Sequence, residues 1–170
     1  SMETNELSIV ITTFKSELKI FDCLDAIPSN IKIIIVENSQ DKKLKEKVKK
    51  KHKNTKVILK KNLGYGNAIN FGAKLVKTKF FFVMNPDTTI YKNTLNKLVD
   101  SAKKIKKFGM ISPEHIFNKK KNKIKKKNII EKRILTGGAM LFNTKIFKKI
   151  NGFDKNIFLY YEDNDYFTKC

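Results

Sequence analysis

Tryptophan is missing altogether and arginine nearly so: of 37 basic residues only Arg133 is an arginine, the rest being lysine. That scarcity argues against a specific nucleic-acid reader, because base edges and phosphates are gripped best by the guanidinium fork. The formal charge of +21 at neutral pH would otherwise invite such a reading, since a basic domain releases counterions from phosphates. Lysine is accompanied here by abundant Asn, Ile and Phe, the pattern of an A+T-rich coding bias at solvated positions. No specific nucleic-acid partner is expected. A weaker expectation is peripheral association with an anionic membrane surface, where each nearby Lys contributes about 1 kcal/mol.

Cysteine is scarce too. Cys23 and Cys170 are far apart, show no metal-ligand spacing and follow no secretion signal. A reduced cytoplasmic protein is the expectation, at the inner face of the membrane if the lysines touch lipid. His52 and His115 are isolated and read as ordinary surface or packing residues. Long apolar runs are absent: the longest, Phe80 to Met84, is far short of the roughly 20 residues of a bilayer span. Ser1-Met2 reads as a cloning remnant, so the domain is counted from residue 3. At 170 residues the rest suits one domain, burying about 70% of the surface its unfolded chain exposes. The 13 Phe residues supply much of the core, each contributing about 1.5 to 3 kcal/mol when buried.

Phe80-Phe81-Phe82-Val83-Met84 is too short for a useful helix and reads as a strand buried on both faces, of the kind found in parallel sheets. Pro86 stops it, and Asn85-Pro86-Asp87 projects a carboxylate past its end. In open α/β sheets ligands sit at that edge. Taken alone, Asn-Pro-Asp reads equally well as a turn.

Earlier in the chain, Leu7 to Thr13 and Ile31 to Val36 read as buried strands, the second ending in the polar group Glu37-Asn38-Ser39. Between them Ser16 can cap a helix with Leu18, Phe21, Leu24 and Ile27 on one face. A basic helix from Lys42 to Lys51, held down by Leu44 and Val48, precedes a short strand from Lys56 to Leu59. Asn62 to Asn70 then places Gly64 and Gly66 at a turn into a helix that carries Ala68, Phe71, Leu75 and Val76 inward. Glycine there lets a ligand approach the backbone, and a helix start offers free N–H groups to an anion. It is not the dinucleotide fingerprint, which follows the first strand and needs a third glycine; a plain start of a helix explains the pair as well.

Past Asp87, Leu95, Leu98, Val99, Ala102 and Ile105 recur at helical spacing, and Phe108 to Pro113 makes another short strand. The alternation so far implies a mostly parallel sheet with helices on both faces. Like charges at 119–133 read as a flexible lysine-rich loop. Order resumes with Ile134 to Phe142, containing Gly137-Gly138, and with a helix from Thr144 to Ile150. The last stretch bears Glu162, Asp163 and Asp165, three acids in a very basic chain that could also cap a helix start.

Together these pieces resemble the inverting family 2 glycosyltransferases of the GT-A type, in their rhamnosyltransferase-like branch. The resemblance rests on motifs in the family's order: Ile9-Val10-Ile11-Thr12-Thr13-Phe14, Val36 to Ser39, Asn62 to Asn70, Asn85-Pro86-Asp87, Thr136 to Ala139, Gly152-Phe153-Asp154 and Tyr161 to Asp165. It implies an α/β GT-A fold and transfer of a sugar, with inversion, from a nucleotide-diphosphate donor of the UDP or dTDP type to a glycan or lipid-linked acceptor. Asp87 takes the place of the family's metal-binding Asp-x-Asp, with Asn85 where the first acid would be, and so would hold Mg²⁺ or Mn²⁺. Thr12, Glu37, Asn38, Asn62, Gly64 and Asn70 fall on the donor side. Asp163, with Glu162 as substitute, stands where the family keeps its base, and Gly137, Gly138 and Asp165 fall on the acceptor side. Lys15 departs from the asparagine often found after the first strand, and Lys169 from a common arginine. The chain also stops a few residues past Asp165, where family members continue, so an acceptor side cut short is expected.

Two other readings compete. Nucleotidyl transfer to a sugar phosphate wants a glycine-rich basic loop after the first strand, and Phe14-Lys15-Ser16 has none. The non-enzymatic alternative is a basic nucleic-acid or membrane-surface binder with an incomplete site.

Overall fold

The computed structural model describes residues 5–16, 19–104, 110–111, 140–149, 158–159 and 168–169. The expected lysine-rich loop at 119–133 lies outside them. In chain order the elements are β1 (Leu7–Thr13), α1 (Lys19–Ala26), β2 (Lys32–Glu37), α2 (Lys42–Lys51), β3 (Thr55–Leu59), α3 (Tyr65–Lys74), β4 (Phe80–Met84), α4 (Lys92–Lys104), β5 (Met110–Ile111), β6 (Met140–Asn143), α5 (Thr144–Lys149), β7 (Phe158–Leu159) and β8 (Thr168–Lys169).

Six strands form one sheet in the order β3-β2-β1-β4-β6-β5, and β7 pairs with β8 in a separate two-stranded sheet. β1 lies parallel to both β2 and β4, and β2 parallel to β3. The expected mostly parallel sheet therefore holds from β3 to β4. Beyond it, β6 runs antiparallel to both β4 and β5, so the sheet is mixed. β4 is buried at every position, yet only one of its edges has a parallel neighbour. Its apolar run reports burial on both faces, which coverage by helices produces whatever the direction of the next strand.

Chain order explains the layers. The path steps from β1 to β2 to β3 in one direction and then crosses back over β1 to reach β4. Right-handed crossovers put α1 and α2 on one face and α3 on the other. The packing agrees: Ile9, Ile11 and Ile35 point one way and Val10 and Val36 the other, and all are buried. α3 presses directly on the second group. A Cβ on Gly72 would sit 2.7 Å from Val10 Cγ1 and 3.2 Å from Val36 Cγ2, so this helix approaches the sheet at a distance only glycine permits.

Helix faces follow the expected period with two shifts. α2 buries Leu44 and Val48, and α4 buries Leu95, Leu98, Val99 and Ala102. In α1 the buried residues are Ile20, Cys23 and Leu24; Phe21 packs at the edge of the core, with Lys51 Nζ 5.0 Å over its ring. In α3, Ala68, Ile69 and Ala73 face inward, as does Val76 just past its end, while Phe71 and the capping Leu75 are only partly buried. Glycine at position 72 explains this second shift, because the closest face of α3 must carry its smallest side chains. His52 closes α2 and places Nε2 3.1 Å from Asp25 Oδ1, a contact between the ends of α2 and α1.

Candidate functional site

Strand order reverses between β1 and β4, and their carboxyl ends open a crevice at that reversal, where α/β sheets bind ligands. A cleft of about 540 Å³ lies there, lined by Phe14, Lys15, Ser16 and Lys19 from the β1–α1 connection and by Asn85, Pro86 and Asp87 from the end of β4. The β4 side is a tight turn in which Thr88 N donates to Asn85 O at 3.1 Å. Pro86 has no N–H to continue the ladder, and the turn carries Asp87 out to solvent. The Asp87 side chain is exposed and makes no hydrogen bond or ion pair with another described residue.

Cys23 supports that turn from below, its Sγ donating to Asn85 O at 3.8 Å. The thiol is pushed up from 9.0 to about 12, by burial first and then by the negative charge of Asp87. Between those values the unfolded chain has released a proton that the native state still holds, so native stability falls as pH rises from 9 toward 12. The stability gap between this chain and a Cys23→Ala variant is therefore expected to close by roughly 1 kcal/mol per pH unit across that range. Urea midpoints at several alkaline pH values measure it, and a gap that stays constant would refute the assignment.

Glu37 ends β2 with no exposed surface. Its carboxylate turns into its own loop: Oε2 accepts from Ser39 N at 2.9 Å and Asp41 N at 2.8 Å, and Oε1 from Ser39 Oγ at 2.5 Å and Thr13 Oγ1 at 3.5 Å. Ser39 Oγ in turn accepts from Lys15 N at 3.1 Å, so a chain of hydrogen bonds runs from Glu37 to the cleft loop. Asn38 is a second staple. Its Nδ2 donates to Thr13 O and Val36 O at 3.3 and 3.1 Å, and its Oδ1 accepts from Leu63 N at 3.3 Å. The ends of β1 and β2 and the loop before α3 are thereby joined.

In that loop Asn62 Oδ1 accepts from Gly64 N at 3.1 Å. Gly64 caps α3 with φ +76 and open space where a Cβ would be, so backbone conformation, not crowding, requires glycine there. Thr12 and Asn70 are both partly buried. Of the expected donor-side residues, Asn85 and Asp87 line the cleft; Glu37 and Asn38 sit beside it as scaffolding, and Thr12, Asn62, Gly64 and Asn70 do not line it. Gly137, Gly138, Glu162, Asp163 and Asp165 lie outside the described residues.

The reading of the sequence missed four lining residues: Phe14, Lys15, Ser16 and Lys19. The available signal was Lys15 itself, taken there only as a departure from a common asparagine. Phe14, 51% exposed at a strand end, is hard to recognise from pattern because a large aromatic directly after a buried strand reads as core.

Among the described residues no three His, Cys, Asp or Glu side chains converge as a metal cage, and no helix is long and apolar enough to cross a membrane. The single free carboxylate of Asp87 still suits Mg²⁺ or Mn²⁺, since Mg²⁺ in phosphate-transfer sites commonly takes one or two protein carboxylates and fills its shell with substrate phosphates and water.

Comparison with solved structures finds the same fold. A mannosyltransferase from Pyrobaculum calidifontis, in complex with GDP-Man and Mn²⁺, superposes with a TM-score of 0.64 at 15% identity, covering 88% of this chain and 47% of that one. S. aureus TarS 1–349 superposes with a TM-score of 0.59 at 20% identity, covering 86% and 49%; its complex with UDP-GlcNAc gives 0.57 at 17% identity. The chain thus spans about half the length of these neighbours. No curated protein sequence matches it significantly. The family model for glycosyl transferase family 2 matches residues 8–165, and with a GT-A sheet and a cleft at its strand reversal, this chain belongs to glycosyl transferase family 2.

Proposed function

We propose that the chain is the donor-binding part of an inverting, metal-assisted glycosyltransferase of the rhamnosyltransferase-like branch, using a UDP- or dTDP-linked sugar and a glycan or lipid-linked acceptor. The observation that carries this reading is the cleft at the β1/β4 reversal with the free carboxylate of Asp87 on its rim. The structural neighbours crystallised with GDP-Man and Mn²⁺, or with UDP-GlcNAc, support it by fold. Polysaccharide biosynthesis at the cytoplasmic face of the membrane is the setting this chemistry suits, and the excess of lysine suits an anionic surface.

In the proposed reaction the acceptor hydroxyl oxygen forms a bond to the sugar C1 as the bond from C1 to the diphosphate oxygen breaks, the electron pair leaving with the diphosphate. Asp87 would hold a divalent cation, which would supply Lewis-acid stabilisation of that developing charge. Asp163, or Glu162 in its place, takes the acceptor proton, a role contributing about 10² to 10⁴-fold. The resemblance to the family assigns Gly137, Gly138 and Asp165 to the acceptor side. Glu37 and Asn38 serve the donor by fixing the loops around the cleft.

Thermal unfolding with uridine or thymidine diphosphate and Mn²⁺ tests the reading. A ligand at 100 times its dissociation constant should add about 2.7 kcal/mol, and absence of any shift with every nucleoside diphosphate would overturn it.

A further inference from the structure

The described lining of the cleft carries more positive than negative charge. Among the described residues its rim has one carboxylate, Asp87, and two ammonium groups, Lys15 and Lys19. Both lysines are exposed, and neither pairs with a carboxylate among the described residues. Two lysines and one acid leave the described rim with a net positive charge. A site with this balance favours a ligand bearing more than one negative charge.

The position of Lys15 is also preset. Its φ is 51, in the left-handed region that residues other than glycine seldom occupy, and such a conformation persists only where surrounding structure imposes it. Here the imposing structure is visible: Lys15 N donates to Ser39 Oγ, which donates to the buried Glu37 carboxylate. Lys15 Nζ rests 5.4 Å from the centroid of the exposed Phe14 ring, a weak contact that a phosphate can displace. Lys19 opens α1 on the same rim.

We infer that Lys15 and Lys19 form a phosphate grip that shares the donor diphosphate with the cation at Asp87, so that nucleoside-diphosphate binding survives without metal. The inference rests on the reading of this cleft as the donor site. It assigns the paired lysines the part of the charge neutralisation that a second carboxylate-held cation contact would otherwise supply, Asn85 being neutral. As the bond to C1 breaks, negative charge grows on the diphosphate, and two ammonium groups on the rim stabilise that product more than the intact donor.

The test uses the chain and a Lys15→Asn/Lys19→Gln variant, asparagine being chosen because it tolerates left-handed backbone. Both side chains are exposed, so the ligand-free unfolding temperature is the check on folding. With EDTA present, uridine diphosphate is expected to stabilise the unchanged chain, and affinity should fall about tenfold or more for each lysine lost. Lys15→Arg/Lys19→Arg should restore the effect, and uridine, lacking phosphate, should not distinguish the variants. With Mn²⁺ the double variant should recover part of its binding. Stabilisation of the unchanged chain by uridine diphosphate only when Mn²⁺ is present would overturn the lysine grip while leaving the donor site standing. So would an undiminished effect in the double variant. No stabilisation under any condition would remove the donor reading and the grip together.

Discussion

Replacing Asp87 with alanine is expected to abolish the manganese-dependent part of nucleoside-diphosphate binding and to leave the fold intact. The side chain is exposed and bonds to no other described residue, so its loss breaks no hydrogen bond or ion pair among them. Among the described residues it is the one carboxylate on the cleft lining, and so the one described there that can anchor a cation to the protein. In a chain of this size about 2.7 kcal/mol of ligand stabilisation corresponds to roughly 5 to 10 °C in unfolding temperature. The increment that Mn²⁺ adds to uridine diphosphate should vanish in the variant. The charge loss has a second readout: the Cys23 thiol, raised in part by Asp87, should titrate slightly lower. Full retention of the metal increment would place the cation elsewhere.

The largest expected loss of stability comes from Phe81→Ala, about 3 to 5 kcal/mol. Phe81 has no exposed surface. Its ring stacks on Phe142 with centroids 5.0 Å apart and meets Phe147 edge-on at 5.1 Å, and Phe142 and Phe147 meet at 5.1 Å as well. These three rings fasten β4, whose end carries Asp87, to β6 and α5. Truncation leaves a cavity between elements that close the antiparallel side of the sheet, and pairs of this kind add about 0.5 to 1.5 kcal/mol beyond area burial. Urea unfolding followed by far-UV circular dichroism should show a lower midpoint with unchanged slope. A loss below about 1 kcal/mol would mean that the triad does not hold the sheet together.

Much of this architecture is legible in the residues because the relevant forces are local. β1 and β4 stand out as runs dominated by β-branched or aromatic residues, and their strand limits match the expectation from Leu7 to Thr13 and from Phe80 to Met84. α2 shows its two apolar contacts plainly in a field of lysine. The Asn-Pro-Asp turn announces itself through the proline. The reversed direction of β6 was not legible, since antiparallel and parallel neighbours demand the same apolar alternation from a strand covered on both faces. Which face of α3 turns inward was hidden for a similar reason: Phe71 and Leu75 are the more hydrophobic choices, but Gly72 allows the closer approach.

The site shows the same division. A carboxylate after β2 looks like a ligand contact in sequence, and in space Glu37 spends both oxygens on Ser39, Asp41 and Thr13. Residue type determined by itself which chemistry could exist here: an acid beyond a buried strand, glycines at a helix start, an ordered series of family motifs. Tertiary structure alone decided which groups share one cleft, joining Lys15 and Lys19 to Asp87 across 72 and 68 positions of chain. The reason is physical. Strand composition depends on how deeply a segment is buried, whereas the meeting of two loops depends on strand order and on hydrogen bonds such as Lys15 to Ser39, for which no local pattern in the chain is needed.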